Sequence, residues 1–234
     1  MAGRVDTPRL IDRPPGERVL VLSPHPDDDV IGAGGTLVKH AAAGAALTAA
    51  VLTDGRAGPP RGPGVDGAAV RRGEAEAAAR VVGIGRVEFW DEPDGALAAH
   101  PAAEDRLRAL LRYVRPDLVY LPSFLDGHPD HRAVTALLAA ALSPELTPFQ
   151  CAVYEVTTAV VPTVVVDVSR EMPVKLEAVA AHRSQAEDLD YVAMVRGLNR
   201  WRASSLGRRA EYAEAFWLGS VGDYLALWRR ATSG

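Results

Sequence analysis

Apolar residues run along this chain in short blocks, each ended by proline, glycine or a cluster of charge. "RVLVLSP" (18–24) stops at Pro24 and predicts a buried strand. Thr36 to Ala43 has helical character, with Gly44 as its stop. "ALTAAVLT" (46–53) predicts a second strand, and "DGRAGPPRGPGVDG" (54–67) is a Gly- and Pro-dense loop. "AAVRRGEAEAAARVVG" (68–83) is rich in strong helix formers and ends at a glycine. "RVEFW" (86–90) predicts a third strand, "PAAEDRLRALLRYV" (101–114) an amphipathic helix, and "PDLVYLP" (116–122) a fourth strand. After the loop "SFLDGHPDH" comes the helical "RAVTALLAAAL", then strands at 150–156 and 163–168; beyond about residue 170 the pattern is mostly helical.

Strand and helix alternate. That order predicts an α/β fold: a three-layer α/β/α Rossmann-like sandwich with a mostly parallel sheet and a helical C-terminal part. The chain of 234 residues is expected to form one domain, with 1–16 as an extended lead-in and the core at about 17–217. "GAGG" (32–35) suggests a dinucleotide fingerprint, but three aspartates stand where a pyrophosphate needs positive potential.

Composition narrows the classes. Lys plus Arg number 26 and Asp plus Glu 30, a formal net charge of -4, so no basic excess points to nucleic acid. Arg200, Arg202, Arg208 and Arg209 read as a solvated helix face. The single cysteine, Cys151, has apolar neighbours and reads as a buried thiol in a reducing compartment. No apolar stretch approaches the roughly 20 residues of a membrane span, and the N-terminal segment has no signal-peptide core. A cytoplasmic protein acting on a small molecule is the expectation, and a homo-oligomer is left open.

The candidate chemistry lies in two loops. One follows the first strand and holds His25, Asp27, Asp28 and Asp29; the other follows the fourth and holds His128, Asp130 and His131. If strands two and three build outward in one direction, the chain must return to set strand four beside strand one. Ligands bind beyond the strand ends at that reversal. Clustered carboxylates and imidazoles meeting there suit a divalent cation with a position left open, zinc or equally ferrous iron.

At these residues the chain resembles the LmbE-like, or PIG-L, family of zinc-dependent de-N-acetylases. Pro24-His25-Pro26-Asp27-Asp28-Asp29 stands for the family's H-P-D-D-E motif, with Asp29 in place of Glu, and His128-Pro129-Asp130-His131 for its H-P-D-H. Thr53-x-Gly55-x-x-Gly58, Arg71-x-x-Glu74, Asp94-Gly95, "AHRSQ" (181–185) and "AEAF" (213–216) are weaker matches. The resemblance implies that His25, Asp28 and His131 hold the metal, Asp27 is the general base, and a protonated His128, favoured by Asp130, stabilises the oxyanion. It implies Arg71 and Asp94 at the substrate and Asp29 and Asp130 behind the ligands. Arg71 could instead pair with Glu74, and Asp94 could merely form its turn.

The implied activity is removal of the N-acetyl group from an N-acetylglucosamine-type amino sugar or conjugate. The alternatives are an amidase cleaving a larger amide, a non-catalytic sugar-binding protein, and a ferrous oxygenase. No G-x-S-x-G elbow supports a serine hydrolase. His182 is either near the site or a satisfied core residue. His40 and His100 read as surface or capping residues, and Trp201, Trp217 and Trp228 as packing for C-terminal helices.

Overall fold

The computed structural model describes residues 7–60, 62–146 and 148–233. Its eight strands are β1 (Arg9–Ile11), β2 (Arg18–Ser23), β3 (Ala46–Thr53), β4 (Arg86–Glu92), β5 (Leu118–Pro122), β6 (Gln150–Tyr154), β7 (Val164–Asp167) and β8 (Ala213–Ser220). They form one sheet in the order β1-β7-β8-β6-β5-β2-β3-β4. β8 runs antiparallel to both neighbours; every other pairing is parallel. The helices are α1 (Asp28–Ala42), α2 (Gly67–Val82), α3 (Pro101–Val114), α4 (Pro129–Ala141), α5 (Met172–Ala180), α6 (Tyr191–Ala203) and α7 (Val221–Thr232).

Side chains alternate across the sheet, so β2 sends Val19 and Val21 to one face and Leu20 and Leu22 to the other. The first face packs against α1, α2, α5 and α6, and the second against α3, α4 and α7. The result is the three-layer α/β sandwich expected from the alternation. β2 lies between β3 and β5, so the chain reverses there and the two His/Asp loops leave neighbouring strands.

Three elements differ from the sequence reading. Helix α1 starts at Asp28, so Gly32-Ala33-Gly34-Gly35 lies inside a helix and not in a loop before it. The glycines allow close approach: a Cβ on Gly32 would come 2.3 Å from the Tyr154 ring, and one on Gly35 2.7 Å from Val168. The segment read as mostly helical contains β8, a strand in the middle of the sheet order. Its Glu214 is buried and ion-paired with Lys175 (2.6 Å), while the Gly35 and Thr36 amides and the Thr36 hydroxyl donate to it. A charge at a core position broke the apolar run that would have marked the strand. The lead-in, finally, contributes β1, which pairs with β7 at one sheet edge.

Other expectations meet mixed outcomes. Cys151 is buried, and burial pushes its thiol pKa up. His100 does cap a helix, accepting the Ala103 amide at the start of α3. His40 is not a surface residue: it is wholly buried, with Nε2 3.0 Å from the Tyr120 hydroxyl. Nor is Arg202 a solvated face residue, since it pairs with Glu155 and donates to Val160 O. Trp201 is 54% exposed and packs no core.

Candidate active site

β2 ends at Ser23, whose hydroxyl donates to His25 O and accepts the Asp29 amide. This fixes the turn that delivers Asp27, Asp28 and Asp29 to the start of α1. Two carboxylates in a first helical turn face the positive end of the helix dipole, which offsets part of their repulsion. The His128-Pro129-Asp130-His131 motif starts α4: His128 Nδ1 accepts the Asp130 amide as the helix cap, and Pro129 fills the first turn.

Three donor atoms converge from the two loops. His25 Nδ1 lies 3.0 Å from Asp28 Oδ2, and His131 Nε2 lies 3.2 Å from both His25 Nδ1 and Asp28 Oδ2. Tetrahedral bonds of about 2.0–2.1 Å would separate donors by about 3.3 Å, so this triangle fits a small divalent cation. Two other sets are close enough to share an ion, His25 with His128 and His131, and His25 with Asp94 and Asp130.

The opposite sides of the two imidazoles distinguish these sets. His25 turns Nε2 towards Asp130 Oδ2 (3.2 Å) and Asp94 Oδ1 (3.3 Å), and His131 turns Nδ1 towards Asp126 Oδ1 (3.1 Å). A metal-ligating histidine characteristically directs its second ring nitrogen at a carboxylate, which fixes ring and tautomer. Asp130 is itself held by the Gly95 and Leu97 amides, and Asp126 accepts from the His128 amide and the Thr157 hydroxyl. Both are thus anchored behind the histidines.

The electrostatics indicate a site built for positive charge. Burial alone would lower the His25 pKa, but Asp28, with Asp130 and Asp94, raises it well above the usual imidazole range. Burial likewise opposes protonation of His131, yet Asp28 and Asp126 bring its pKa up to about 9. Burial would raise the Asp28 carboxyl; His131 and His25 hold it well below the usual carboxylate range. Without metal, a proton on His131 supplies part of the charge a cation would bring.

Asp27 and His128 flank the triangle. Asp27 is buried, and Arg71 donates to its Oδ2 from 3.1 Å while giving a second hydrogen bond to Gly55 O. Arg71 was expected at the substrate or paired with Glu74. Its guanidinium is buried against Asp27 and does not pair with Glu74, which accepts from Ser184. His128 stacks edge-on against His25, with centroids 4.5 Å apart. In the metal-free site burial, then His25 and His131, lower the His128 pKa despite Asp130. Because Nδ1 accepts a backbone amide, the neutral ring carries its proton on Nε2 and can still donate.

Asp94 does more than form a turn, since Oδ2 accepts the Ala57 amide of the long loop while Oδ1 faces His25. Asp29 is buried with its Oδ1 on the Val30 amide, and burial raises its pKa to about 7. Sequence reasoning gave Asp126 no role; an acidic residue five positions before His131, in "LDGH", was the available signal. His182 is buried but not satisfied, both ring nitrogens lacking a partner among the described residues.

A family model described as GlcNAc-PI de-N-acetylase (PIG-L) matches residues 20–142. The chain is 31% identical to the diacetylchitobiose deacetylase of Thermococcus kodakarensis, over 72% of this chain and 70% of that protein. It is 32% identical to a 1D-myo-inositol 2-acetamido-2-deoxy-alpha-D-glucopyranoside deacetylase of Saccharopolyspora erythraea, over 73% of this chain and 78% of the relative. The solved N,N'-diacetylchitobiose deacetylase of Pyrococcus horikoshii superposes with a TM-score of 0.74 at 28% identity, over 89% of this chain and 86% of that one. On the matched motifs, the shared fold and these identities, this chain belongs to the PIG-L de-N-acetylase family.

Proposed function

We propose that the chain is a divalent-metal-dependent hydrolase that removes the acetyl group from an N-acetylglucosamine-type amino sugar or a conjugate of one. The observation that carries this reading is the buried triangle of His25, Asp28 and His131, each imidazole backed by a carboxylate, with Asp27 and His128 beside it. The relatives named above act on acetamido sugars by their names, and their differing aglycones keep the conjugate open.

His25, Asp28 and His131 would hold the ion; zinc fits the nitrogen and oxygen donors, and ferrous iron does also. The ion would supply Lewis acidity and lower the pKa of a water at the amide carbonyl. Asp27, next in sequence to a ligand, accepts that water's proton, and Arg71 fixes the carboxylate so that one oxygen stays oriented. His128 Nε2–H donates to the developing oxyanion; a donor of this type is worth about 2.7–4 kcal/mol of barrier. Proton return from Asp27 lets the amine leave neutral.

The test is an acetate-release assay on N-acetylglucosaminyl conjugates with metal-loaded and chelator-stripped protein. Stripping should abolish turnover and added metal restore it. Asp27→Asn should keep the metal and lose about 100- to 10,000-fold in kcat. Full activity in that variant, or release of an acid larger than acetate, overturns the assignment.

A further inference from the structure

A cavity of about 1030 Å³, lined by none of the His/Asp cluster, lies on the face covered by α7, between the loops after β5 and before β7. Its size is that of a small-molecule site. Val153, Trp217 and Phe124 line it, and Leu125 and Val161 stand at it 67% and 80% exposed. Exposed apolar side chains that converge on one concavity are unlike the scattered ones every surface carries.

The polar groups in its wall are already used internally. The Tyr224 hydroxyl bonds with Thr135 and with Pro122 O, the Thr163 hydroxyl donates to Leu218 O, and Ser123 Oγ accepts the Leu125 amide. The wall therefore presents carbon to an occupant. Besides the exposed Thr7, the exceptions are Arg9, from β1, and Arg230, in the last turn of α7; both arginines are exposed and neither pairs with a carboxylate among the described residues.

We infer that this cavity is a second binding site, for a small amphipathic anion: an apolar chain or ring system held by Trp217, Phe124 and Val153, with its acidic head on Arg9 and Arg230. An unpaired guanidinium suits a carboxylate, sulfonate or phosphate, and burial of the chain supplies the affinity. The site is independent of the chemistry proposed at the metal centre. It adjoins that centre through one loop, because Leu125 of the wall directly precedes Asp126, which faces His131.

The probe is 1-decanesulfonate, a poor metal ligand, titrated by calorimetry into the full-length metal-loaded protein while tryptophan emission is followed. Saturable one-to-one binding with an emission change is expected. Decan-1-ol, lacking the charge, and methanesulfonate, lacking the chain, should each bind at least 10-fold more weakly. The double variant Arg9→Glu/Arg230→Glu should lose at least 10-fold in affinity at unchanged thermal unfolding. Trp217→Phe should bind but lose most of the emission change. The inference is overturned by the absence of saturable binding, by equal affinity in the charge-reversed variant, or by equal affinity for the alcohol. It is also overturned if sedimentation shows a second copy of the chain covering this face.

Discussion

At the scale of single residues, the site is an arrangement of carboxylates at two depths. Asp28 faces the imidazoles from within the triangle, while Asp126 and Asp130 face them from behind. Replacing Asp126 by Ala should leave all three proposed ligands yet free the His131 ring. Metal affinity is then expected to fall about 10- to 100-fold, measured by chelator competition, with activity recovering at saturating metal. The raised pKa values of His25 and His131 carry a second prediction. In metal-free protein at pH 7.5 the His131 ring holds an extra proton, because its pKa is raised to about 9, and Asp28, Asp130 and Asp94 raise that of His25 as well. Metal uptake must displace the His131 proton, so calorimetry in buffers of different ionisation enthalpy should report release of at least one proton. Release of none would mean that the ion binds elsewhere. The two paired motifs were visible in the sequence because each concentrates His and Asp within a few residues. The Arg71–Asp27 and Asp126–His131 contacts were not, since their partners lie on separate turns or loops whose approach only the fold decides.

At the scale of elements, α1 brings Asp28 to the site and lies close to the sheet. Gly32 permits that approach, so Gly32→Ala must push the Tyr154 ring or move the helix. A destabilisation of about 1–3 kcal/mol or more is expected from such overpacking, measured by denaturant unfolding. Gly34→Ala is the comparison: its Cβ would meet the flexible stem of Lys175 at 3.0 Å, so the cost should be smaller. The same glycines explain why the helix start was misplaced from sequence. Three glycines of poor helix propensity leave helical character visible only from Thr36, whereas packing against β6 and Val168 outweighs that propensity. β8 was hidden by a related conflict, a buried glutamate in a strand whose charge is answered by Lys175 from α5. Neither compensation can be read without knowing which helix lies on which strand.

At the scale of the whole molecule, stability should depend on pH through His40, which joins α1 to β5 through Tyr120. Burial, then the nearby Arg13, lower its pKa from 6.5 to about 4, so the folded protein holds the ring neutral. The unfolded chain binds the proton first as pH falls. The contribution is therefore intact above about 6.5 and is lost progressively down to about 4, amounting to about 3 kcal/mol. His40→Gln should flatten that part of the profile relative to the parent, measured by denaturant unfolding at pH 7 and pH 4.5. An identical pH dependence in both proteins would exclude His40 as the source. The alternation of strands and helices along the sequence was enough for the layers and for the reversal beside β2. It could not supply the edge, because three residues near the N-terminus carry too little pattern to announce a strand.

That three-residue edge has a consequence of its own. Arg9, Leu10 and Ile11 lie alongside Val164, Val165 and Val166 and occupy the backbone groups that an all-valine strip would otherwise offer to any passing chain. Trimming the protein past Ile11 should spare the catalytic cluster at first and yet leave a sticky border. Slow self-association, growing with concentration and visible by light scattering, would then be the mark of a missing fringe rather than of a damaged enzyme.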